Sequence, residues 1–177
     1  MKLFLKAGLP REALQLLLGN GPDIGDKVIK DERIKGIIFT GSNETAKYIQ
    51  NNISNREGEI ISFTAETGGL NVMIVDSSAL TEQVVDDAIE SGFGATGQRC
   101  SALRIMAIQE DIYERTVKML SGALQKIEIG DPRKLNTDIG PVIDDESKIR
   151  IEEHISKNNE NLMSQTEMKT NLSGNFT

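Results

Sequence analysis

Two residue types in this chain could together carry out covalent chemistry: a lone cysteine and a glutamate thirty-four residues before it. Cys100 lies in residues 97–101 (Gly-Gln-Arg-Cys-Ser), and Glu66 lies in residues 65–69 (Ala-Glu-Thr-Gly-Gly). A thiolate is the strongest side-chain nucleophile near neutral pH, and a carboxylate can deprotonate a thiol or activate a water that hydrolyses a thioester. Glycines close to both residues leave room for a ligand. The pattern therefore predicts covalent acyl chemistry.

Each of these residues also has a structural interpretation. A lone cysteine is often a buried thiol, although Cys100 follows polar residues here and not an apolar stripe. Glu66 follows an apolar run and is alternatively a carboxylate at the edge of a loop. His154 falls on the polar side of a predicted helix, so a hydrolase-type Cys–His pair remains an alternative. No cysteine and histidine cluster has the spacing of metal ligands.

Two glycine-containing segments are candidates for binding phosphate. Gly19, Gly21 and Gly25 precede a short predicted helix at residues 26–31, whose N-terminus could hold an anion. Their spacing is not that of the Rossmann G-x-G-x-x-G motif, and a tight turn is the alternative. Residues 39–42 (Phe-Thr-Gly-Ser) end a predicted strand and form a second candidate, with a serine helix cap as the alternative.

The elements that must position these residues alternate between strand-like and helix-like patterns. Residues 14–18 are predicted as a strand or a helix. The other predicted strands are residues 35–40, 60–64, 71–76 and 103–108, and the main predicted helices are residues 44–51, 80–93, 111–127 and 144–157. This alternation predicts an α/β fold with a parallel sheet. The last seventeen residues show little periodicity, which predicts a frayed tail.

Composition narrows the class of protein. The 177 residues are 38% hydrophobic and 27% charged, which predicts a globular chain of one sizeable or two small domains. Only 4% aromatic residues and a net charge of −7 argue against a nucleic-acid partner. No apolar run is long enough to predict a membrane span, and no signal peptide is expected from the first residues. The single cysteine fits a reducing cytoplasm.

Taken together, the motifs resemble the aldehyde dehydrogenase superfamily from about Ala7 to about Ile155. The matching segments occur in the family's order and spacing, and they are residues 7–10, 19–22, 39–42, 66–69, 97–100 and 140–141. Residues 65–76 and 97–104 narrow the resemblance to the L-glutamate γ-semialdehyde dehydrogenase domain of bifunctional proline-utilisation proteins. That domain has Glu-Thr-Gly-Gly where most members of the family have Glu-Leu-Gly-Gly.

The resemblance implies a partial aldehyde dehydrogenase fold of the α/β class. Residues 1–66 would be the C-terminal part of a Rossmann-like NAD-binding domain. Residues 67–157 would be the N-terminal part of the catalytic domain, and residues 158–177 would be a polar tail.

The resemblance also implies roles for individual residues. Cys100 would attack a small-molecule aldehyde, hydride would pass to NAD⁺, and Glu66 would activate the water that hydrolyses the resulting thioester. Arg99 and Ser101 would hold the substrate carboxylate. The residues that would contact NAD are Gly21, Gly25, Phe39, Thr40, Gly41, Ser42 and Leu70.

Several of the family's motifs have no counterpart in these 177 residues. They include a Lys-Pro-x-Glu strand, the asparagine that stabilises the oxyanion and a later Glu-x-Phe-Gly-Pro segment. We therefore expect an internal fragment that is inactive alone and that would need other fragments of a split enzyme to work. A hydrolase or acyltransferase that uses Cys100, and a non-catalytic remnant or interaction module, are the alternatives.

Overall fold

The computed structural model describes residues 1–166 and 172–177. Its α-helices are α1 Lys2–Lys6, α2 Gly21–Lys30, α3 Asn43–Ser54, α4 Thr81–Phe93, α5 Glu110–Leu124 and α6 Asp145–Lys157, and its strands are β1 Gly36–Gly41, β2 Ser62–Thr67, β3 Asn71–Val75 and β4 Leu103–Ile108. Short 3₁₀ turns cover Arg11–Ala13 and Asn159–Asn161, and Gly94–Gly97 is a turn whose backbone is not helical at Ala95 and Thr96. The chain divides into two compact units, Met1–Thr67 and Gly68–Thr177.

The first unit is built on a parallel strand pair. Strands β1 and β2 align from Gly36 opposite Ser62 to Gly41 opposite Thr67, with α3 as the crossover that parallel pairing requires. Helix α3 begins after Ser42, whose hydroxyl accepts a hydrogen bond from the Thr45 amide at 3.1 Å. The serine helix cap foreseen as an alternative for residues 39–42 is therefore present.

Two predictions for the start of this unit are wrong. Helix α2 begins at Gly21 and not at residue 26, because Pro22 lies in its first turn, where a proline is favourable. Gly21 and Gly25 therefore lie in a helix and not in a turn. Residues 14–18 form neither strand nor helix, and Leu18 is 79% exposed. A strand needs a ladder partner, and none of the strands in the described part of the chain pairs with this run.

The second unit repeats the strand–helix–strand pattern. Strands β3 and β4 pair in parallel, with α4 between them in sequence. The register shifts after the first pair, since Asn71 lies opposite Leu103 but Val72 lies opposite Ile105, which leaves Arg104 as an extra residue. The 3.6-residue period predicts an apolar stripe of Val84, Val85, Ala88 and Ile89 on α4. The first three are buried and Ile89 is half-buried, while Thr81, outside the predicted stripe, is buried as well. The predicted parallel α/β fold is confirmed in both units.

The end of the chain is more ordered than its polarity predicts. The Asn175 carbonyl accepts a hydrogen bond from the Val142 amide at 2.9 Å, and Phe176 is only 5% exposed. The prediction of a frayed tail is wrong for residues 172–177, because burying an aromatic ring outweighs the entropy lost on ordering it. The predicted tail also includes residues 167–171, which lie outside the described residues. Among the described helices, none is long and apolar enough to cross a bilayer.

Candidate active site

In the first unit, the pairing of β1 with β2 brings predicted site residues together. Thr40 lies opposite Glu66, and Gly41 lies opposite Thr67, at the carboxyl ends of the two parallel strands. Both Thr40 and Glu66 are exposed. Ligands of open α/β sheets bind at this end of the strands, so the pairing places a carboxylate and a strand-to-helix turn where a ligand is expected.

The Phe39 ring lies against the backbone of Gly41. A Cβ at position 41 would overlap the Phe39 ring, which is half-buried. The glycine therefore lets the ring fold back against the strand end. The next residue, Ser42, caps α3 and leaves the exposed N-terminus of that helix at the same strand end. This turn fits an anionic group such as a pyrophosphate, because helix N-termini carry partial positive charge.

Gly21 and Gly25 fit a bound group for a different reason. A Cβ built on either glycine has no heavy atom within 4 Å among the described residues. Their small size is therefore not required by packing within the described structure, although glycine weakens a helix. A ligand that approaches the helix backbone closely would account for both glycines.

In the second unit, Cys100 follows three consecutive residues with left-handed backbone. Their φ angles are 52° at Ala95, 60° at Thr96 and 63° at Gly97. A β-branched threonine in this region is an outlier and is strained. At Gly97 a Cβ would come within 2.8 Å of the Gly92 carbonyl oxygen, so the position requires glycine for space as well as for its φ angle. Strained backbone of this kind often occurs at functional sites.

Hydrogen bonds hold the segment around Cys100 at several points. The Ala102 amide closes a turn onto the Arg99 carbonyl at 3.2 Å. The Asn71 side-chain amide donates to the carbonyls of Cys100 and Ala102, and the Arg104 guanidinium donates to the Gly97 carbonyl. The Cys100 side chain itself is exposed and forms no disulfide. The arrangement presents an accessible thiol on a backbone that is firmly held.

Arg99 and Ser101, which flank Cys100, line one cavity of about 340 Å³. Its other lining residues are Met73, Asp87, Glu90 and Ser91. The cavity thus contains a guanidinium, hydroxyl groups and two carboxylates, and Cys100 is not among its lining residues. A ligand with groups of both charges suits this cavity better than a simple anion, because two carboxylates would repel an anion.

The other predicted residues are placed as follows. Leu70 lies directly before β3 and is 73% exposed, so it is available to a ligand. His154 lines a separate groove of about 350 Å³ with Leu120, Leu124 and Met163, and Cys100 does not line that groove. The described residues contain no cluster of histidine, cysteine or acidic groups that could hold a metal ion.

Sequence reasoning missed Asn71 and Arg104 as residues of this site. Asn71 stands at the start of a strand, where a polar side chain is less expected than the β-branched residues that follow. The polar residue at this strand position was the signal in the sequence that could have identified Asn71. The role of Arg104 depends on the register shift, which no local pattern reveals.

Comparison with protein families gives a match over nearly the whole chain. The model of the aldehyde dehydrogenase family matches residues 1–175. The chain is 53% identical over 156 residues to the bifunctional protein PutA of Salmonella typhimurium, covering 86% of this chain and 12% of that protein. It is 33% identical over 153 residues to the 1-pyrroline-5-carboxylate dehydrogenase of Geobacillus thermodenitrificans, covering 85% of this chain and 30% of that enzyme. The chain therefore spans only a small part of these relatives.

Solved structures give the same result for the fold. Proline utilization A of Bradyrhizobium japonicum superposes with a TM-score of 0.91 at 40% identity, over 98% of this chain and 18% of that one. A 1-pyrroline-5-carboxylate dehydrogenase from Thermus with bound NAD superposes with a TM-score of 0.83 at 26% identity, over 90% of this chain and 31% of that one. These findings confirm the resemblance inferred from the motifs and the partial aldehyde dehydrogenase fold.

Proposed function

Because this chain belongs to the aldehyde dehydrogenase family, we propose that it is part of an NAD⁺-dependent enzyme that oxidises L-glutamate γ-semialdehyde to L-glutamate in proline catabolism. The observation that carries this proposal is the 53% identity to the bifunctional PutA protein of Salmonella typhimurium over 86% of the chain. The bound NAD of the Thermus 1-pyrroline-5-carboxylate dehydrogenase supports the choice of cofactor. The cytoplasm, which keeps a lone thiol reduced, is the proposed location.

Cys100 and Glu66 are the proposed catalytic residues. The Cys100 thiolate adds to the aldehyde carbon and forms a thiohemiacetal, whose oxygen takes the negative charge. NAD⁺, when bound, would supply the acceptor for the hydride of this carbon, and Cys100 would then hold the acyl group as a thioester. Glu66 takes a proton from the water that attacks the thioester, and cleavage of the C–S bond releases the carboxylic acid and the thiolate.

Arg99 and Ser101 are the proposed substrate-binding residues. The guanidinium and the hydroxyl would donate hydrogen bonds to the substrate carboxylate. L-Glutamate γ-semialdehyde also carries an ammonium group, and Asp87 and Glu90 in the same cavity supply the opposite charge. The mixed charge of the cavity thus supports an amino-acid aldehyde over a simple aldehyde.

The proposed cofactor-binding residues are Gly21, Gly25, Phe39, Thr40, Gly41, Ser42 and Leu70. Apart from Leu70, they lie in residues 1–66, which we propose as part of the NAD-binding domain. Residues 67–157 would then belong to the catalytic domain. The open space beside Gly21 and Gly25 and the exposed N-terminus of α3 support this assignment.

We expect the 177-residue chain alone to be inactive as a dehydrogenase. It lacks the family's asparagine donor to the oxyanion, and removing one such donor lowers kcat about 10²–10³-fold. Adding the segments of the domain that these 177 residues do not contain, as in a split enzyme, should restore activity.

The test is NAD⁺ binding by calorimetry on the purified chain, with the Cys100 alkylation rate followed in parallel. We expect saturable binding that changes the alkylation rate, because the cofactor would lie beside the nucleophile. Absence of binding together with an unchanged alkylation rate would contradict the proposal and favour a non-catalytic module. NADH formation by the chain alone, dependent on Cys100, would contradict the expected inactivity.

A further inference from the structure

The side-chain amide of Asn71 bridges two carbonyls of the Cys100 turn. Its Nδ2 donates to the Cys100 carbonyl oxygen at 2.8 Å and to the Ala102 carbonyl oxygen at 2.9 Å. Ala102 itself is 1% exposed, so this side of the turn is anchored in the protein. One side chain thus fixes the backbone on both sides of Ser101.

The bulge between β3 and β4 supplies a second anchor. Asn71 pairs with Leu103, and the register shift then leaves Arg104 without a place in the ladder. The Arg104 guanidinium reaches back to the Gly97 carbonyl oxygen at 2.6 Å. Such a charge-assisted hydrogen bond is about twice as strong as a neutral one. Asn71, the first residue of β3, and Arg104, the second residue of β4, therefore hold the two ends of the segment that carries Cys100.

We propose that Asn71 is a positioning residue for Cys100, and that it acts with Arg104 to hold the turn at residues 97–102 in one conformation. The importance of this turn for a reaction rests on the proposed function, in which Cys100 is the nucleophile. Attack on a bound aldehyde requires the sulfur to stay near one place, and a displacement of about 1 Å can lower the rate of an enzyme about 10²-fold.

A purely structural role for Asn71 makes a different prediction. If Asn71 only stabilised the fold, its loss would loosen the turn and α4 together. If it positions the turn, its loss would loosen residues 97–102 and leave α4 unchanged. Hydrogen exchange of individual amides separates these two cases, because exchange reports local opening.

The experiment compares Asn71→Ala, Asn71→Asp and Arg104→Met in the full 177-residue chain. The aspartate keeps the shape of asparagine but has no N–H, so it repels both carbonyls. Asn158→Ala is the matched control, because the Asn158 amide also donates to a backbone carbonyl, that of His154, at 2.8 Å. The two measurements are hydrogen exchange at the turn and in α4, and the pH profile of Cys100 alkylation by iodoacetamide.

We expect exchange of the Ala102 amide to accelerate about tenfold in Asn71→Ala, as for the loss of one or two hydrogen bonds, with α4 unchanged. The Asn71→Asp variant should exchange at least as fast. Its alkylation should also need a higher pH, because a new negative charge beside the turn disfavours the thiolate. The Asn158→Ala control should leave both measurements at the turn unchanged.

Unchanged exchange at residues 97–102 in the Asn71 variants, or equal acceleration in α4, would overturn the proposal. If the Asn71 variants do not fold, Arg104→Met decides by the same criteria, since it removes the other anchor. Neither measurement uses NAD⁺ or an aldehyde. A chain that fails to bind NAD⁺ would thus contradict the proposed function while leaving the positioning role of Asn71 open to its own test.

Discussion

At the scale of single residues, the proposed site residues of the two units are of different kinds. The first unit offers Glu66 and Thr40 side by side on parallel strands, together with glycines that its own packing does not require. The second unit offers an exposed thiol, Cys100, on a turn anchored by Asn71. The glycines and the thiol lead to separate predictions.

Replacing Gly25 by alanine should stabilise the chain and weaken its binding of NAD⁺. Apart from its chain neighbours and the backbone of its own helix, a Cβ there has no described atom within 4 Å, and alanine is favoured over glycine in a helix interior by about 0.5–1 kcal/mol. Gly122→Ala in α5 is the control, because a Cβ at Gly122 has equally open surroundings among the described residues. Thermal unfolding should show a gain for both variants, and calorimetry should show weaker NAD⁺ binding only for Gly25→Ala. Equal binding by both variants would remove Gly25 from the cofactor site.

Replacing His154 by alanine should leave the alkylation rate of Cys100 within about twofold, the usual range for an unconnected surface change. His154 lines a groove that Cys100 does not line, so we expect another group to act as the base for this thiol. The rate of reaction with iodoacetamide at fixed pH measures the effect, with Cys100→Ser as the blank. Loss of reactivity in the His154 variant would instead support a hydrolase or acyltransferase.

At the scale of elements, helices α3 and α6 begin with N-terminal caps of different chemistry. Helix α3 begins with a serine cap, and α6 begins with Asp144, whose side chain accepts the Ser147 amide at 2.8 Å. The hydrogen bonds from the Ser147 side chain and backbone lower the pKa of Asp144 below its ordinary value of 3.8. A hydroxyl cap does not titrate in this way, so the two caps should respond differently to acid.

The stability of α6 should therefore depend on the protonation of Asp144. Because the pKa of Asp144 is lower in the folded state, its stabilising contribution is complete above pH 3.8 and is lost as the pH falls through the folded-state pKa. Asp144→Asn keeps a good cap but should abolish this loss. Hydrogen exchange in α6 from pH 5 downward measures the effect, with Ser42→Ala in α3 as the pH-independent cap control. The same acid response in Asp144→Asn would contradict the assignment.

At the scale of the whole molecule, each unit exposes apolar residues that parallel sheets normally cover. Both faces of parallel sheets are usually buried, yet Ile38 in β1 is 86% exposed and Ile74 in β3 is 83% exposed. Leu18, in the run without secondary structure, is 79% exposed. The relatives that this chain matches are several times longer, and their additional residues are the natural source of cover for such surfaces.

The chain alone should therefore self-associate, and Ile74→Lys should reduce this association. The substitution removes apolar surface that is already exposed, so the free energy of unfolding should change by no more than about 0.5 kcal/mol. Val75→Lys, one residue further along β3, should instead unfold the second unit, because Val75 is only 2% exposed and its replacement would bury an unpaired charge. Sedimentation velocity over a range of concentrations, with circular dichroism, separates the two outcomes. If Ile74→Lys associates as strongly as the unchanged chain, the exposed surface around Ile74 does not cause the self-association.

The sequence alone determined the local features of this protein. The period of 3.6 residues predicted the burial of Val84, Val85 and Ala88 in α4. Alternation of apolar runs with helical segments predicted parallel strand–helix–strand units, because both signals lie within a few neighbouring residues. Motif order and spacing led to the aldehyde dehydrogenase family. The roles of Cys100 and Glu66 followed from that resemblance and from their chemistry, and they remain predictions.

The tertiary structure decided the features that depend on partners distant in sequence. Among the described residues, no strand pairs with residues 14–18. Phe176 is buried, although the polar residues around it in the sequence do not predict this. Asn71 contacts the Cys100 turn because β3 pairs with β4, and Arg104 reaches the Gly97 carbonyl from the position where the register of that pair shifts. A hydrogen bond or a buried contact depends on both partners, and the local pattern around one residue does not specify the other.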